Sequence, residues 1–552
     1  MAATNSRWSV TLFFILVACL GGCKTAVQGQ PSYSLAQGCY AIKAAEDGRY
    51  IIAAGHDQYA LSSVGEPEAE KFFAKPSGLG TFLLYDREGG FLANDFIHVQ
   101  REWQASQKAE WRINDLAIFR GKNQIDQQYT LVSTPDELRL LTSKNGLIVQ
   151  SNPPPIQVKN ASFELVPQAA DQCKPFPELS LDAEIDPAFF TPKDPSLPVK
   201  GFADLHSHLG FPKAMAGLAM SGNLFSPWGV EDALKDCKVL HGKNGALDLL
   251  ESQNSGEGKE GHATAGYPEF TYWPRRNTNT HVQAYYRWIQ RAWLSGLRLV
   301  VTDVTGNPTF CQLLSIMHPF QADGDCGSDD EVGNQTHYIY ALQDYIDAQE
   351  GGPGKGWFRI VTSPAQAREV ISQNKLAVVL GSEYGTLFDC VESNEGCTAE
   401  YIDQKLQQIH DMGIRSVFPI HRFDNAFGGT QPAGGASGAW MHLSGMLSTS
   451  KVKTVTDLMR PSKLLFKPIG GHFWDLEPCP DGVDGTGDIL SMRKFIDEDF
   501  GFVRNAVHDV KTFGPFAASL LDFAFFRKLE PLPEYTEFNQ GGNACNARQL
   551  QE

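Results

Sequence analysis

His206-Ser-His208, at the end of the apolar stretch Phe202 to Leu209, is the part of this chain best suited to chemistry. In an extended strand, side chains at i and i+2 point the same way, so both imidazoles can reach one divalent cation. Neutral imidazole is the commonest protein ligand for zinc. Three more apolar runs downstream end in a polar residue: Leu297-Arg-Leu-Val-Val-Thr-Asp303, Leu376-Ala-Val-Val-Leu-Gly-Ser-Glu383 and Ile414-Arg-Ser-Val-Phe-Pro-Ile-His421.

These runs alternate with helical stretches. Val282 to Leu294 is amphipathic, Pro364 to Gln373 precedes the third run, and Ala399 to Met412 stops at Gly413 before the fourth. Strand and helix in alternation is the pattern of βα units. In a parallel (β/α) barrel the C-terminal edge of the strands is the active-site face, and His208, Asp303, Glu383 and His421 all fall on it.

The series is similar to the metal-dependent hydrolases of the amidohydrolase superfamily. Gly381-Ser-Glu383-Tyr-Gly385 and Gly413-Ile-Arg, followed by His421 and Asn425, resemble the membrane dipeptidase (renal dipeptidase, M19-type peptidase) family more closely, over roughly Gly201 to Gly429. The resemblance implies that His206 and His208 are metal ligands and Glu383 is a carboxylate bridging two zinc ions. It implies that His421 is the catalytic histidine on the substrate side, with Asn425 in the same substrate-binding context. The reaction implied is hydrolysis of an amide or peptide bond by a metal-activated water, with a small peptide or amide as substrate. Two features depart from the family. The dipeptidases usually carry His-x-Asp on the first strand, where this chain has His-x-His. They also draw further ligands from later strands, and no such strands are legible after Gly429. Residues 430 to 490 are rich in Gly, Ser and Pro, Ile489 to Leu520 reads as helical, and His442, His472 and His508 sit in loop or helix-surface contexts. The expectation is an incomplete (β/α) barrel over 200–552 with long insertions, holding four of eight βα units. Such a chain is truncated, completed by another chain, or supplied with unconventional ligands from its tail.

From about Tyr33 to Cys173 the texture is short strands and turns with an internal repeat. Cys39-Tyr-Ala-Ile-Lys with Gly48-Arg-Tyr-Ile-Ile is echoed by Thr81-Phe-Leu-Leu-Tyr with Gly90-Phe-Leu-Ala, and again by Tyr129-Thr-Leu-Val with Leu138-Arg-Leu-Leu-Thr. A second element recurs as Ala69-Glu-Lys-Phe-Phe, Ala109-Glu-Trp-Arg-Ile and Ala161-Ser-Phe-Glu-Leu. Units repeating at about 40–50 residues cannot bury their faces singly and must close on one another. The pattern resembles the β-trefoil, which implies an all-β domain over 33–173 and either a glycan- or surface-binding role or a structural spacer. Closure of a trefoil implies that Cys39 and Cys173 come within bonding reach. The proline-rich, acidic stretch 174–199 reads as a linker. The fold class expected is therefore multidomain, a β-trefoil followed by α/β.

At the N-terminus Arg7 precedes an apolar run, Trp8 to Leu20, too short to span a bilayer. It leads into Leu20-Gly21-Gly22-Cys23, which resembles a bacterial lipobox. That implies a signal peptide over 1–22, lipidation at Cys23, a tether over 23–32, and a lipid-anchored protein of the bacterial envelope, outer membrane favoured, with the membrane as partner. An exported chain with 11 cysteines invites disulfides. Candidate pairs are Cys39 with Cys173, Cys390 with Cys397, Cys479 with Cys545, and Cys311 with Cys326, leaving Cys237 over; spacing alone does not fix connectivity.

Across 552 residues, 42% hydrophobic and 20% charged content is that of a globular protein. A formal net charge of −17 with no basic run excludes a nucleic-acid partner, whose phosphates need a basic face. No Walker or H-E-x-x-H element is present, and no G-x-S-x-G follows a strand. The acidic stretch Asp325 to Glu331 lacks the spaced ligands of a calcium loop and reads as solvated.

Overall fold

The computed structural model describes residues 30–116, 127–143, 146–150, 159–183, 194–248, 261–275, 278–318, 321–390, 396–421, 425–428, 476–478 and 544–546. Cys23, Cys479, His442, His472, His508, the leader and the stretch expected to be helical over 489–520 lie outside them. The chain divides into two compact units. One is built on Cys39–Phe72 and Leu84–Lys174, the other on Tyr33–Gly38, Phe73–Leu83 and the residues from Pro175 on.

The N-terminal region forms a 13-stranded antiparallel sheet. After the short β1 (Gln30–Pro31), the strands fall into three sets of four. The first is β2 (Cys39–Ala44), β3 (Tyr50–Ala53), β4 (Tyr59–Ser62) and β5 (Lys71–Gly78). The second is β6 (Thr81–Tyr85), β7 (Phe91–Asp95), β8 (His98–Glu102) and β9 (Glu110–Asp115). The third is β10 (Tyr129–Ser133), β11 (Arg139–Ser143), β12 (Gly146–Gln150) and β13 (Phe163–Pro167). Among the described residues a 3-10 turn precedes the fourth strand of every set, at Glu66–Glu68, Gln107–Ala109 and Lys159–Ala161. Each of these turns delivers a buried alanine: Ala69, Ala109 and Ala161. The small side chain lets the turn press against the interior, and alternation then buries Trp111 and Ile113 in β9, and Phe163 and Leu165 in β13. This sheet is compatible with a β-trefoil. A disulfide joins Cys39 to Cys173. Arg101 of β8 and Asp86 form a fully buried ion pair at 2.6 Å, and the Tyr59 hydroxyl donates to the same carboxylate at 2.7 Å.

The second unit carries a parallel sheet of five strands: β14 (Phe202–Ser207), β15 (Leu297–Gly306), β16 (Phe358–Ile360), β17 (Leu376–Tyr384) and β18 (Ile414–Phe418). β15 lies between β14 and β17, while β16 and β18 pair with successive halves of β17 on its other side. Central strands are buried on both faces and read as continuous apolar runs, which is why they are legible. β14 and β18 are largely exposed. An incomplete barrel was expected from the βα alternation; the described residues form a parallel sheet, and no barrel closes among them.

Helices connect these strands. Ser363 accepts from the Gln366 N–H and Pro364 follows it, starting the helix Pro364–Ser372. Thr398 caps Ala399–Asp411 through the Tyr401 N–H, and Gly413, at φ 94°, ends it. Two helices had no sequence signal, Pro308–Met317 and the long Ser328–Gln349. The second starts inside Asp325 to Glu331, read above as solvated: Asp325, Asp329 and Asp330 are exposed, but Glu331 is buried and its carboxylate accepts the N–H groups of Met215 and Ala216. Polar and apolar residues alike are buried along that helix, so no apolar stripe marks it. Two more disulfides close in this unit, Cys311–Cys326 and Cys390–Cys397. The structure also pairs Leu476–Pro478 antiparallel with Ala544–Asn546, putting Glu477 opposite Cys545.

Candidate metal centre

Parallel register carries the strand-end residues to one place. Thr302 of β15 pairs with Ser207, just before His208, and Thr305 pairs with Glu383 of β17, which is itself opposite Phe418 of β18. The Ser207 hydroxyl donates to the Val301 carbonyl at 2.9 Å and fixes the strand end between the two histidines. His206 Nε2 lies 3.2 Å and His208 Nε2 lies 3.3 Å from the same oxygen, Oε2 of Glu383. His421 Nε2 lies 2.6 Å from the other oxygen, Oε1. The carboxylate is buried, whereas the His206 side chain is 62% exposed, so the group opens to solvent on the imidazole side.

Asp303 fixes both imidazoles from behind. Its carboxylate Oδ2 is 3.3 Å from His206 Nδ1, and its backbone carbonyl is 2.9 Å from His208 Nδ1. A carbonyl only accepts, so Nδ1 of His208 carries the proton and its Nε2 keeps a lone pair aimed at Glu383. Hydrogen-bonding the far nitrogen to an acceptor is how proteins orient metal-ligating histidines. Burial pushes the Asp303 carboxyl above its usual range, and the neighbouring His206 and His208 pull it back. Space for this carboxylate exists because residue 381 is glycine: a Cβ there would sit 1.9 Å from Asp303 Oδ1.

The donor set fits a metal. Zinc bonds of about 2.0–2.1 Å set tetrahedral ligand atoms roughly 3.3 Å apart. His206 Nε2 and His208 Nε2 stand at that spacing from Glu383 Oε2, and one ligand atom from each residue lies within 4.8 Å of the others. His421 does not fit the same sphere. It lies 2.6 Å from the other carboxylate oxygen, Oε1, and so holds Glu383 from the opposite side. Asn425, expected to contact substrate, is fully buried and donates to the Gly385 and Pro419 carbonyls. Its amide knits two loops together, a structural task.

Asp303 was visible in the sequence as a strand end, but its role behind the histidines was not. A second group was missed altogether: Cys237, His241, His262 and His281 also lie within 4.8 Å of one another, all buried. The signal available was the cysteine left over once the others pair, with a histidine four residues on.

No family model matches the chain, and no curated protein matches it. Among solved structures it is similar to an endo-β-galactosidase of Clostridium perfringens that releases GlcNAcα1-4Gal. The identity is 16% and the TM-score 0.20, over 24% of this chain and 33% of that one. The chain thus spans about a third of that enzyme's length. SeviL bound to asialo-GM1 saccharide aligns with 23% of this chain and 95% of its own, at 16% identity and TM-score 0.20. The designed threefold-symmetric protein ThreeFoil aligns with 23% and 97%, at 20% identity and TM-score 0.18. Likenesses this low leave fold and function to be argued from the chain's own residues.

Proposed function

We propose that the second unit carries a hydrolase-type centre for one divalent metal, zinc by its donor set, held by His206, His208 and Glu383. The observation that carries this reading is the shared approach of both Nε2 atoms to Glu383 Oε2 at 3.2 and 3.3 Å. Three protein ligands leave an open position, the arrangement of catalytic and not structural zinc. A metal bound there supplies Lewis acidity and lowers the pKa of a coordinated water. Asp303 orients both imidazoles, Gly381 leaves room for Asp303, and His421 fixes the carboxylate through Oε1. The likeness of this strand-end series to amidohydrolases and membrane dipeptidases points to an amide or peptide bond as the target. The test is hydrolysis of a panel of dipeptides and acylamines by the full chain, with and without chelator, and by His208→Ala. Activity abolished by chelator and by the variant supports the reading. A chelator-insensitive protein, or a fully active variant, contradicts it.

A second reading concerns the N-terminal sheet. Three four-strand sets with a buried alanine before each fourth strand support a β-trefoil, and a glycan is the ligand class we propose for it. Binding of the full chain on a glycan array, retained in His208→Ala, supports this role; no glycan bound at high concentration contradicts it. The lipid anchor at Cys23 and an envelope location remain part of the proposal. Among the described residues no helix is long and apolar enough to cross a membrane.

A further inference from the structure

In the stretch between β14 and β15, the α-helices among the described residues are single turns, Ala214–Gly217, Val230–Ala233 and Lys238–His241, until Tyr286–Leu294 begins. Its interior nevertheless gathers an unusual set of side chains. Cys237 caps the turn Lys238–His241 and His241 ends it, so thiol and imidazole lie one helical turn apart on the same side. His262 is tied to this turn through its own N–H to the Asn244 carbonyl at 2.8 Å and through the Cys237 N–H to the Thr264 carbonyl at 3.1 Å. His281 arrives from a third segment, held where the Ser221 N–H donates to the Thr280 carbonyl at 2.7 Å.

Three observations point to a ligand. First, the imidazole rings crowd edge to face, with centroids 4.5 Å apart for His241 and His281, 4.9 Å for His262 and His281, and 5.3 Å for His241 and His262. Second, Nδ1 of His241 and Nε2 of His281 are buried with no hydrogen-bond partner, although His241 is 5% exposed and His281 not at all. Buried polar atoms are almost always partnered, so two in one cluster need an explanation. Third, Nδ1 of His262 faces the Ala263 carbonyl at 2.9 Å and must donate to it. In the neutral ring its Nε2 then holds a lone pair, yet that atom stands 3.3 Å from Oδ2 of the buried Asp248. Lone pair against carboxylate is repulsive unless a cation lies between or beside them. Close approach of this histidine requires Gly245, where a Cβ would come within 2.4 Å of its ring at φ +68°.

We infer that Cys237, His241, His262 and His281 form a second, structural zinc site that staples the segment between β14 and β15. One thiolate and three imidazoles supply four protein ligands and leave no open position, the closed arrangement of structural and not catalytic zinc. Asp248, whose Oδ2 accepts from the Thr280 hydroxyl at 2.6 Å and lies 3.5 Å from His241 Nδ1, sits beside the site as a second negative charge. With Cys237 as thiolate, its proton released to solvent, a divalent cation makes the buried group neutral. Tyr272, stacked on His262 with centroids 4.3 Å apart, and the buried Trp273 close the site to water. This inference stands apart from the centre at His206: it shares no residue with it and carries no catalytic demand.

The test uses the full chain loaded with cobalt(II) in place of zinc, in wild type, His206→Ala and Cys237→Ser. Only a site with a cysteine ligand gives a thiolate-to-cobalt charge-transfer band in the near ultraviolet, and the proposed hydrolase centre has none. The expected result is that band in wild type and in His206→Ala, its loss in Cys237→Ser, and one metal per chain fewer in that variant. Should Cys237→Ser fail to fold, wild type and His206→Ala still decide. Folded, cobalt-loaded wild type without the thiolate band overturns the inference, as does undiminished metal content in folded Cys237→Ser.

Discussion

His421 Nε2 stands 2.6 Å from Glu383 Oε1, while the other oxygen of that carboxylate faces His206 and His208. A carboxylate divided this way has one oxygen for a metal and one for a hydrogen bond. The proposed centre is accordingly mononuclear, with His421 proposed as a positioning residue.

Removing that bond is the first prediction. His421→Ala leaves the two imidazoles in place but frees Glu383 to rotate, and loss of such an outer partner lowers metal affinity about 10- to 100-fold. Competition titration against a chromogenic chelator measures it. Unchanged affinity contradicts the positioning role.

Gly381→Ala is expected to act like a lesion at Asp303. The added methyl cannot share space with Oδ1 at 1.9 Å, so the carboxylate must leave His206 Nδ1. Affinity should fall about as far as in Asp303→Asn, within the same 10- to 100-fold range. Combining the two changes should cost little more than either alone, because both act through one contact. Additive losses contradict this.

How much of this was legible in the sequence follows from periodicity. β14, β15, β17 and β18 announce themselves as apolar runs, and the strand-end residues could be assigned to one edge because parallel strands share a direction. The three sets of N-terminal strands were legible through repetition. The contact of His421 with Oε1 was not, since which carboxylate oxygen it takes is a matter of ångströms. Asn425 looked functional because its motif context was read without its burial. The helix Ser328–Gln349 escaped because it is buried around much of its circumference, and the Cys237 group because its members come from three segments without a compact motif.

Glu331 yields a pH prediction. Burial outweighs the two N–H groups it accepts and pushes its carboxyl up to about 7, from an ordinary value of 4.5. A group raised on folding is neutral in both states well below 4.5, and its ionisation opposes folding as pH rises to the folded value. Its contribution to stability therefore falls between about pH 4.5 and 7, by at most roughly 3 kcal/mol at about 1.36 kcal/mol per unit. Glu331→Gln removes the titration. Denaturant unfolding should show the variant gaining on wild type by up to that amount between about pH 5 and 8. A pH-independent difference contradicts it.

Joining Cys39 to Cys173 closes a loop with a sequence separation of 134. Chain-entropy reasoning assigns such a crosslink about 5 kcal/mol. The double variant Cys39→Ser with Cys173→Ser should unfold at markedly lower urea concentration, read by tryptophan fluorescence, which Trp111 reports from the interior. An unchanged midpoint would show the bond absent in solution.

Anomalous diffraction at the zinc edge from crystals of the full chain tests the central claim most directly. The account predicts one peak about 2.0–2.2 Å from His206 Nε2, His208 Nε2 and Glu383 Oε2. It also predicts none beside Oε1, where His421 sits. A zinc-soaked crystal with no peak among those three atoms, or with a pair of peaks straddling the Glu383 carboxylate, would contradict it.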